Sequence, residues 1–467
     1  MRSNYFLLIL ISIFSISSNA QTQIGQTLTN FELGDGLGAS LSMSANGSRL
    51  LTSAPRFDTD GVFISGRVDV YEFDGSSWVP LGQTLDGGTP VEFGQYGRGL
   101  EMSDSGNRIA IGNSDSESQV YEWNGGTQQW EQMGTALEFD GDPDTQLRRF
   151  RFSSDENTLV IGGSNSGDDS VYVFQWDGSN WNTIGNPLQD PATNRIAISN
   201  DAQTIANSYN NFGSDNGINI YTFDGTDWIL DFARSFVSPV EISDGFDLSG
   251  SGNRLVLSYW DEIAETGTFE TYDRVGGNWE ASVSTFSLPF DSNNNALRLS
   301  NNGTVFIYGS GTENAGGTDA GGTRVYQKSG NNWVLVNYFD YPNYDESILG
   351  NVFISGNGTK VALGQSIPFD VGFVQVYDIS DILSVETGST ETFKLYPNPT
   401  TGRLTIDLPI SEEIQKITIL DVTGRIVQRM DYDSANQNSI ELEGPVGMYL
   451  IVIATNNSQK TFKVLKQ

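Results

Sequence analysis

The side chains that could do chemistry in this chain are carboxylates and aromatic rings, because the sequence contains no histidine and no cysteine. That composition removes Cys/His zinc sites, Ser-His-Asp triads, histidine acid–base catalysis and disulfide bonds. Three alternating carboxylates, Asp140, Asp142 and Asp144, have a spacing that could hold a hard cation such as Ca²⁺. They lack the glycine and the distal glutamate of an EF-hand loop, so solvated acidic side chains are the alternative interpretation.

The charge balance excludes one class of partner. Asp and Glu number 58 against 25 Lys and Arg, which gives a formal net charge of −33. Such a surface repels phosphate backbones and anionic lipids, so we predict no nucleic-acid partner. The same charge is typical of an acidic, soluble extracellular surface.

The first 20 residues have the pattern of a secretory signal peptide. A short segment with Arg2 precedes an apolar run over residues 5–14, and small residues at Ser18 and Ala20 suit a cleavage site. We therefore predict a signal peptide over residues 1–20. No later segment approaches the roughly 20 consecutive apolar residues that a spanning helix needs, so we predict no transmembrane span.

Two short patterns recur along the chain at a spacing of roughly 50 residues. The first is a strand, a Ser-x-x-Gly turn and a second strand, and its serines are Ser44, Ser103, Ser153, Ser199, Ser249, Ser300 and Ser355. The second joins an apolar-aromatic strand through a tight turn to a strand led by tryptophan, at Trp78, Trp130, Trp181, Trp228, Trp279 and Trp333. Because these tryptophans recur at one strand position, we predict that they pack between repeats and do not line a ligand site.

Four strands per repeat, arranged around a closed ring, predict an all-β fold with a seven-bladed β-propeller over residues 21–383. The segment Leu81-Gly82-Gln83-Thr84-Leu85 follows the first tryptophan, and Ile24-Gly25-Gln26-Thr27-Leu28 matches it near the start of the chain. We therefore predict that residues 23–28 complete the last blade. Pairing the two ends of the propeller in one blade would close the ring and remove an exposed sheet edge.

The repeats resemble the FG-GAP-type propeller repeats of secreted bacterial proteins and, more distantly, of integrin α-subunits. The resemblance rests on Leu37-Gly38, Ser53-Ala54-Pro55 and Gly66-Arg67-Val68 in the first repeat and on Phe93-Gly94 in the second. It covers roughly residues 22–380 and weakens after the third repeat. It implies a propeller fold, but no repeat contains the Asp-x-Asp-x-Asp-Gly calcium loop of the integrin type.

The composition changes at about residue 384. Residues 384–392 form a polar stretch that we interpret as a linker. Residues 393–467 then contain short alternating strands, such as 404–408 and 449–453, separated by turns. This spacing predicts a small C-terminal Ig-like β-sandwich.

This tail resembles the type A C-terminal sorting domain of the Bacteroidetes type IX secretion system. The residues of the sorting motif that carry the resemblance are Tyr396, Pro397, Asn398, Pro399, Gly402, Asp421, Gly424, Arg425, Gly447 and Tyr449. The resemblance implies that the type IX machinery is a partner and that the chain is exported across the outer membrane. In this family the domain is usually removed afterwards, with release or attachment to surface lipopolysaccharide, so we predict a secreted or cell-surface protein.

The irregular, acidic insertions fall in loops that would share one face of the propeller. These are the loops between the second and third strands of a blade and the loops that cross between blades. Because loops carry function more often than scaffold strands do, we predict that this face binds the ligand. The candidate residues are Asp58, Asp60, Asp115, Glu117, Tyr209, Trp260, Asp261, Glu262 and Tyr344. Solvated polar loops are the alternative interpretation of any one of them.

These observations favour a non-catalytic binding or adhesion module for an extracellular glycan or protein, with no cofactor apart from the Ca²⁺ considered above. No acidic residue recurs at a first-strand position, where the central opening of a propeller would be lined, and we predict no catalytic residue. The alternative hypothesis is a surface polysaccharide hydrolase that uses a pair of carboxylates at the central opening.

Overall fold

The computed structural model describes residues 22–29, 34–114, 117–138, 146–164, 170–189, 195–211, 215–238, 240–264, 266–282, 286–288, 296–310, 322–340, 349–366, 372–383, 394–407, 414–421, 426–431, 439–455 and 459–467. The chain divides into two compact units, Met1–Val385 and Glu386–Gln467. The predicted signal peptide and linker lie outside the described residues. Within the described ranges, no helix is long and apolar enough to cross a membrane.

The described part of the first unit consists of seven antiparallel sheets, in which consecutive strands pair. The first two strands of the described residues, β1 (Thr22–Gln23) and β2 (Leu28–Thr29), are short and join the last of these sheets. Sheet 1 contains β3 (Leu41–Met43), β4 (Arg49–Ala54), β5 (Arg67–Phe73) and β6 (Trp78–Pro80). Sheet 2 contains β7 (Gly99–Met102), β8 (Arg108–Gly112), β9 (Glu117–Asn124), β10 (Gln129–Gln132) and β11 (Leu137–Glu138). Sheet 3 contains β12 (Gln146–Phe152), β13 (Thr158–Ser164), β14 (Ser170–Trp176) and β15 (Trp181–Thr183).

The next three sheets repeat this arrangement with longer outer strands. Sheet 4 contains β16 (Ile196–Ile198), β17 (Thr204–Asn211), β18 (Asp215–Phe223) and β19 (Trp228–Val237). Sheet 5 contains β20 (Val240–Leu248), β21 (Arg254–Asp261), β22 (Thr266–Val275), β23 (Asn278–Ala281) and β24 (Phe286–Leu288). Sheet 6 contains β25 (Ala296–Leu299), β26 (Val305–Ser310), β27 (Gly322–Ser329) and β28 (Asn332–Asp340).

Sheet 7 brings together the two ends of the first unit. It contains β29 (Leu349–Ile354), β30 (Lys360–Ser366), β31 (Phe373–Asp378), β1 and β2, and a short helix α1 (Ser380–Leu383) follows it. Gln23 pairs with Tyr377, and Leu28 pairs with Val374. The outer edge of β31 is therefore covered by the start of the chain, which removes an unpaired strand edge.

A buried serine closes the turn between the first and second strands of every sheet. The seven serines of the Ser-x-x-Gly pattern are buried, and each Oγ accepts a hydrogen bond from the backbone N–H five residues later. The residue three positions after the serine has a positive φ, even where Glu156 (62°) or Ala202 (56°) replaces glycine. The serine hydroxyl gives this backbone N–H a partner that it would otherwise lack. All seven turns share this hydrogen bond.

These turns are also joined to one another. The residue after each serine lies beside its counterpart in the next sheet, and backbone N–H to O=C bonds run from Ala45 to Asp104, Ser154 to Asn200, Asn200 to Gly250, Gly250 to Asn301, Asn301 to Gly356, and Asn357 to Ala45. The first strands contact in the same cyclic order, β3, β7, β12, β16, β20, β25 and β29, and β29 contacts β3. The ends of the seven first strands therefore meet at one level.

The recurrent tryptophans pack between neighbouring sheets, as predicted. Their rings are largely buried, and the indole N–H reaches a backbone oxygen of the adjacent sheet in the pairs Trp78–Ile24 (3.0 Å), Trp130–Leu81 (2.9 Å) and Trp228–Ile184 (3.2 Å). Trp333 instead donates to the Thr271 hydroxyl of sheet 5 at 2.9 Å. A buried indole that finds an acceptor is a stable packing element, so these rings belong to the scaffold.

The second unit contains two antiparallel sheets. One has β32 (Lys394–Tyr396), β33 (Arg403–Asp407) and β36 (Ser439–Glu441), and the other has β34 (Ile414–Asp421), β35 (Ile426–Asp431), β37 (Gly447–Thr455) and β38 (Gln459–Lys466). Leu404 and Ile406 of the first sheet share a buried cluster with Ile417 and Ile451 of the second. The alternating apolar residues of these strands therefore form a core between the two sheets.

The contact of Gly82 with two tryptophans predicts a difference between two glycine substitutions. Gly82 (φ +82°) and Gly88 (φ +79°) share a left-handed backbone, but a Cβ at Gly82 would lie 2.8 Å from atoms of both Trp123 and Trp130, whereas one at Gly88 has no atom within 4 Å. We expect Gly82→Ala to lower the free energy of unfolding by about 1–3 kcal/mol more than Gly88→Ala, because overpacking adds to the shared backbone strain. Urea denaturation of both variants measures this difference, and equal losses would contradict the packing argument.

Candidate functional site

Several predicted site residues lie outside the described residues. These are Asp115, Asp140, Asp142, Asp144 and Tyr344, together with Gly424 and Arg425 of the sorting motif. Glu117 begins β9, where its backbone pairs with that of Glu138. In the described parts of the chain, no group of three or more acidic side chains could hold a metal ion.

Two of the predicted ligand residues, Asp58 and Asp60, belong to the loop between β4 and β5. Both are exposed, and one Asp58 carboxylate oxygen accepts the backbone N–H of Ile64 at 2.7 Å. This loop (55–66) is bonded to the loop that leads from sheet 1 to sheet 2 (86–98), and we call the two together the loop pair. Phe93 N donates to Phe63 O at 3.0 Å, and Gln95 N donates to Ile64 O at 3.1 Å. The two loops thus form one backbone-linked element.

The loop pair contains strained backbone at four positions. Asp60, Ile64, Phe93 and Gln95 have φ values of 52°, 51°, 61° and 47°, in the left-handed region that side chains other than glycine seldom adopt. Each such residue costs roughly 1–2 kcal/mol, and it persists only where surrounding contacts over-determine the conformation. Such strain concentrates at binding and catalytic sites, so it marks the loop pair for attention.

Two phenylalanine rings project from the loop pair into solvent. Phe63 is 49% exposed and Phe93 is 54% exposed, and their centroids lie 5.4 Å apart in an edge-to-face arrangement. Val91, 48% exposed, adds to the same apolar surface. Contiguous exposed aromatic side chains on rigid backbone are typical of contact surfaces for ligands and partners.

Residues of the loop pair also line a polar cavity of about 320 Å³. It is lined by Ser65, Asp86, Gly87, Thr89, Val91, Gly94, Tyr96, Asn113 and Gln119. The Tyr96 hydroxyl donates to Gln119 Oε1 at 2.9 Å and lies 3.2 Å from the Tyr121 hydroxyl. Burial raises the pKa of Tyr96 well above its usual value, so its phenol stays neutral. The cavity has the volume of a small-ligand pocket and offers hydroxyl, amide and carboxylate groups.

Arginines gather at the base of the loop pair, which is unusual in so acidic a chain. Arg98 Nη1 donates to Gln95 Oε1 at 2.6 Å. Burial, together with repulsion from Arg56 and Arg149, lowers the pKa of Arg98. Arg56 is exposed, so positive charge reaches the surface beside the exposed aromatic rings.

The remaining predicted ligand residues lie in sheets 4 and 5 and take part in local structure. Tyr209 is only 7% exposed and its hydroxyl lies 2.8 Å from Ser235 Oγ, so it is a packing residue. Trp260 is half-buried in β21, opposite Glu241 and Gly267. Asp261 caps the next turn by accepting the backbone N–H groups of Ile263 and Ala264, while Glu262 is exposed.

Charged side chains that the sequence analysis did not single out lie where the seven first strands meet. They occupy the position two residues before each turn serine, which holds Ser42, Glu101, Arg151, Ala197, Asp247, Arg298 and Phe353. Glu101 and Asp247 are buried. The expectation that no acid recurs at a first-strand position is therefore wrong for two of the seven copies, Glu101 and Asp247, which an alignment of the copies on the turn serine would have found.

The buried charges are held in a hydrogen-bonded network. Arg151 Nη1 donates to Glu101 Oε2 at 3.1 Å, and the Ser42 hydroxyl donates to the same oxygen at 3.4 Å. Asp247 accepts the backbone N–H groups of Leu248 and Leu299, both at 3.0 Å. A buried charge is tolerated when it is paired in this way.

Burial changes the acidity of both carboxyl groups. Burial raises the pKa of Glu101 to about 7, with Asp247 and Asp104 adding to the rise and Arg151 opposing it. Burial also raises the pKa of Asp247, against the opposing effects of Arg151 and the Leu299 N–H group. The cavity that Glu101 and Asp247 line has a volume of about 80 Å³, well below the 300 Å³ or more of ordinary ligand pockets.

The sorting-motif residues attach the start of the second unit to its last strand. Asn398 Nδ2 donates to Lys463 O at 2.8 Å, and Leu465 N donates to Asn398 Oδ1 at 2.9 Å. The Tyr449 hydroxyl donates to Pro445 O at 2.7 Å, and its ring is buried. Tyr396 and the two prolines of the motif are exposed, Gly402 and Gly447 have positive φ, and Asp421 ends β34 opposite Tyr449.

The raised pKa of Glu101 predicts a pH dependence of stability. In the range from about pH 4.5 to 7 the folded chain keeps a proton that the unfolded chain has released, so this stabilisation is complete at low pH and is lost as the pH rises through about 7. We expect the parent to lose roughly 1–3 kcal/mol of stability relative to Glu101→Gln, which keeps an acceptor for Arg151, as the pH rises from about 4.5 to 7. Chemical denaturation at a series of pH values measures the difference, and a pH-independent one would contradict the assignment.

The two hydrogen bonds of Asn398 predict a link between folding of the second unit and export. We expect Asn398→Ala to destabilise this unit by about 1 kcal/mol, because both bonds are solvent-exposed and each contributes modestly. Thermal melting of the full chain measures the loss, and the amount of protein at the cell surface or in the medium measures export. Thr401→Ala, at an exposed neighbouring residue, is the control. Unchanged melting of the Asn398 variant would contradict the structural role.

Comparison with known families concerns the second unit. Residues 394–467 match the family described as the secretion system C-terminal sorting domain. No curated protein matches the chain. The match confirms the predicted sorting domain, and this domain implies export by the type IX secretion system and interaction with its machinery. The chain is thus a secreted or cell-surface protein with an all-β fold and a C-terminal sorting domain.

Proposed function

We propose that the first unit is a seven-bladed β-propeller, in which each of the seven sheets is a blade. Three observations support this architecture: consecutive strands pair in every sheet, the first strands contact in a closed cycle, and β1 and β2 complete the sheet that contains β31. A propeller presents long loops on a rigid ring, an arrangement suited to binding.

We further propose that the exported protein is a non-catalytic binding module for an extracellular glycan and that the loop pair is its binding site. The observation that carries this proposal is the exposed Phe63–Phe93 pair on strained, hydrogen-bonded backbone beside the 320 Å³ cavity. Aromatic rings stack on the apolar faces of sugars, while Asp86, Asn113 and Gln119 can exchange hydrogen bonds with sugar hydroxyls.

The alternative proposal, a polysaccharide hydrolase, has one observation in its favour. Glu101 and Asp247 are carboxyl groups with raised pKa values, and both line the same cavity where the first strands meet. Glycosidases use such pairs, with one group protonated at neutral pH. A cavity of about 80 Å³, however, leaves no room for a sugar ring. The Glu101 carboxyl group is also already paired with the Arg151 guanidinium. These observations favour a structural role for the network.

A glycan array probed with the mature protein tests the binding proposal. We expect the parent to retain one or more arrayed glycans without releasing reducing sugar, and we expect Phe63→Ser/Phe93→Ser to reduce retention by about tenfold or more, because both exposed rings are removed. Ile229→Ser/Leu230→Ser removes two apolar side chains of similar exposure, 51% and 53%, and serves as the matched control.

The outcomes of the array separate the two proposals. Equal retention by the parent and the phenylalanine variant would show that the loop pair is not the site. Release of reducing sugar by the parent, abolished in Glu101→Gln, would favour the hydrolase. Binding to extracellular proteins but to no glycan would overturn the assigned ligand class.

A further inference from the structure

A second cavity lies away from the loop pair, at the outer strands of sheets 2 and 3. Its volume is about 430 Å³, within the range of small-ligand pockets. Two tryptophans line it, Trp123 at the end of β9 and Trp176 at the end of β14, together with Glu122, Asn124 and Glu131. We call this cavity the tryptophan groove.

Tryptophan is larger than the scaffold needs at these two positions. In sheets 1 and 4 the equivalent residue is phenylalanine, and it pairs across the strands with the recurrent tryptophan at centroid distances of 5.2 Å for Phe73–Trp78 and 4.9 Å for Phe223–Trp228. In sheets 2 and 3 the corresponding Trp123–Trp130 and Trp176–Trp181 distances are both 5.4 Å. A phenyl ring therefore satisfies the pairing with the recurrent tryptophan. The larger indoles of Trp123 and Trp176 also lie close to Gly82 and Gly134, and both border the tryptophan groove.

The polar side chains of the groove are held in place by neighbouring groups. Glu131 Oε1 accepts Asn124 Nδ2 at 2.9 Å and the Thr127 hydroxyl at 3.0 Å. Asn124 Oδ1 also accepts the backbone N–H of Gly126 at 2.9 Å. Fixed acceptors beside two aromatic rings form a preorganised surface, which lowers the entropy lost when a ligand binds.

The charge of the groove selects among ligands. Its lining includes two carboxylates, Glu131 and Glu122, of which Glu122 is ion-paired with Arg108 at 3.0 Å, and no lysine or arginine is among the described residues that line it. Arg49 lies over the Trp123 ring, 5.9 Å from its centroid, in a cation–π contact. Sugars with carboxylate groups would meet repulsion here, whereas neutral or amine-bearing sugars would not.

We propose that the tryptophan groove is a second saccharide-binding site, specific for neutral or amine-bearing sugars. The rings of Trp123 and Trp176 stack on the sugar, and the Glu131 and Asn124 side chains exchange hydrogen bonds with its hydroxyl or amino groups. This site does not depend on the proposed function of the loop pair, because it rests on different residues. Together the two sites would let one molecule attach to two glycan chains and gain avidity.

Isothermal titration of the mature protein with three hexasaccharides tests this site. The probes are cellohexaose, which is neutral, chitosan hexamer, which carries amino groups, and hexagalacturonate, which is acidic. We expect the chitosan hexamer to bind most tightly, cellohexaose more weakly, and hexagalacturonate not to bind at this site. We expect Trp123→Phe/Trp176→Phe to weaken binding of the first two probes by about fivefold or more, because indole surface is lost while the scaffold packing is kept.

The phenylalanine substitutions also provide the folding control, since sheets 1 and 4 already hold that pair. The double variant should melt close to the parent. Phe63→Ser/Phe93→Ser should bind the chitosan hexamer as the parent does, which separates this site from the loop pair. Three results would each overturn the proposal. The first is that neither the neutral nor the amine-bearing probe binds, and the second is that the double tryptophan variant binds them with unchanged affinity. The third is that hexagalacturonate binds most tightly and that the variant weakens this binding.

Discussion

The hydrogen bond from a backbone N–H to a buried serine hydroxyl is the interaction on which the first unit depends. It recurs in seven turns, from Ser44 to Ser355, and it sets the point at which each first strand ends. Because the turns are alike, six backbone hydrogen bonds join the residues that follow the serines to those of neighbouring sheets. The residues two positions before the serines meet in the interior for the same reason. Without the hydroxyl, the backbone N–H would lose its partner at a cost of about 1–3 kcal/mol, so this position requires a side chain that is small and polar.

The charged side chains where the seven first strands meet show how this interior accommodates charge. Glu101, Arg151 and Asp247 are taken out of water, and each carboxyl group is matched by a donor from a neighbouring sheet. A paired charge in a low-dielectric interior is tolerated, whereas a single partner left alone would be strongly destabilising. The network therefore links several sheets through directional contacts that apolar side chains could not provide. The cavity beside it is too small to add a ligand-binding role.

The two proposed binding sites lie where the repeats differ. The recurrent tryptophans hold neighbouring sheets together, and the indole N–H groups of Trp78, Trp130 and Trp228 are already bonded to the adjacent sheet. The other sheets do not need the exposed rings of Phe63 and Phe93, or rings as large as those of Trp123 and Trp176, to hold neighbouring sheets together. Export through the sorting domain then places both surfaces outside the cell, where glycans are abundant.

The sequence alone determined the all-β class, the number of turn serines, the packing role of the recurrent tryptophans and the identity of the C-terminal sorting domain. These follow from local patterns: strand alternation, turn chemistry and a motif whose residues lie close together in the chain. Tertiary structure decided the rest. Glu101 and Asp247 are far apart in sequence, so only the meeting of the first strands brings them to one cavity. The strain of the loop pair and the burial of Tyr209 likewise depend on contacts between distant segments, because burial and left-handed backbone are set by the surrounding fold and not by the residue itself.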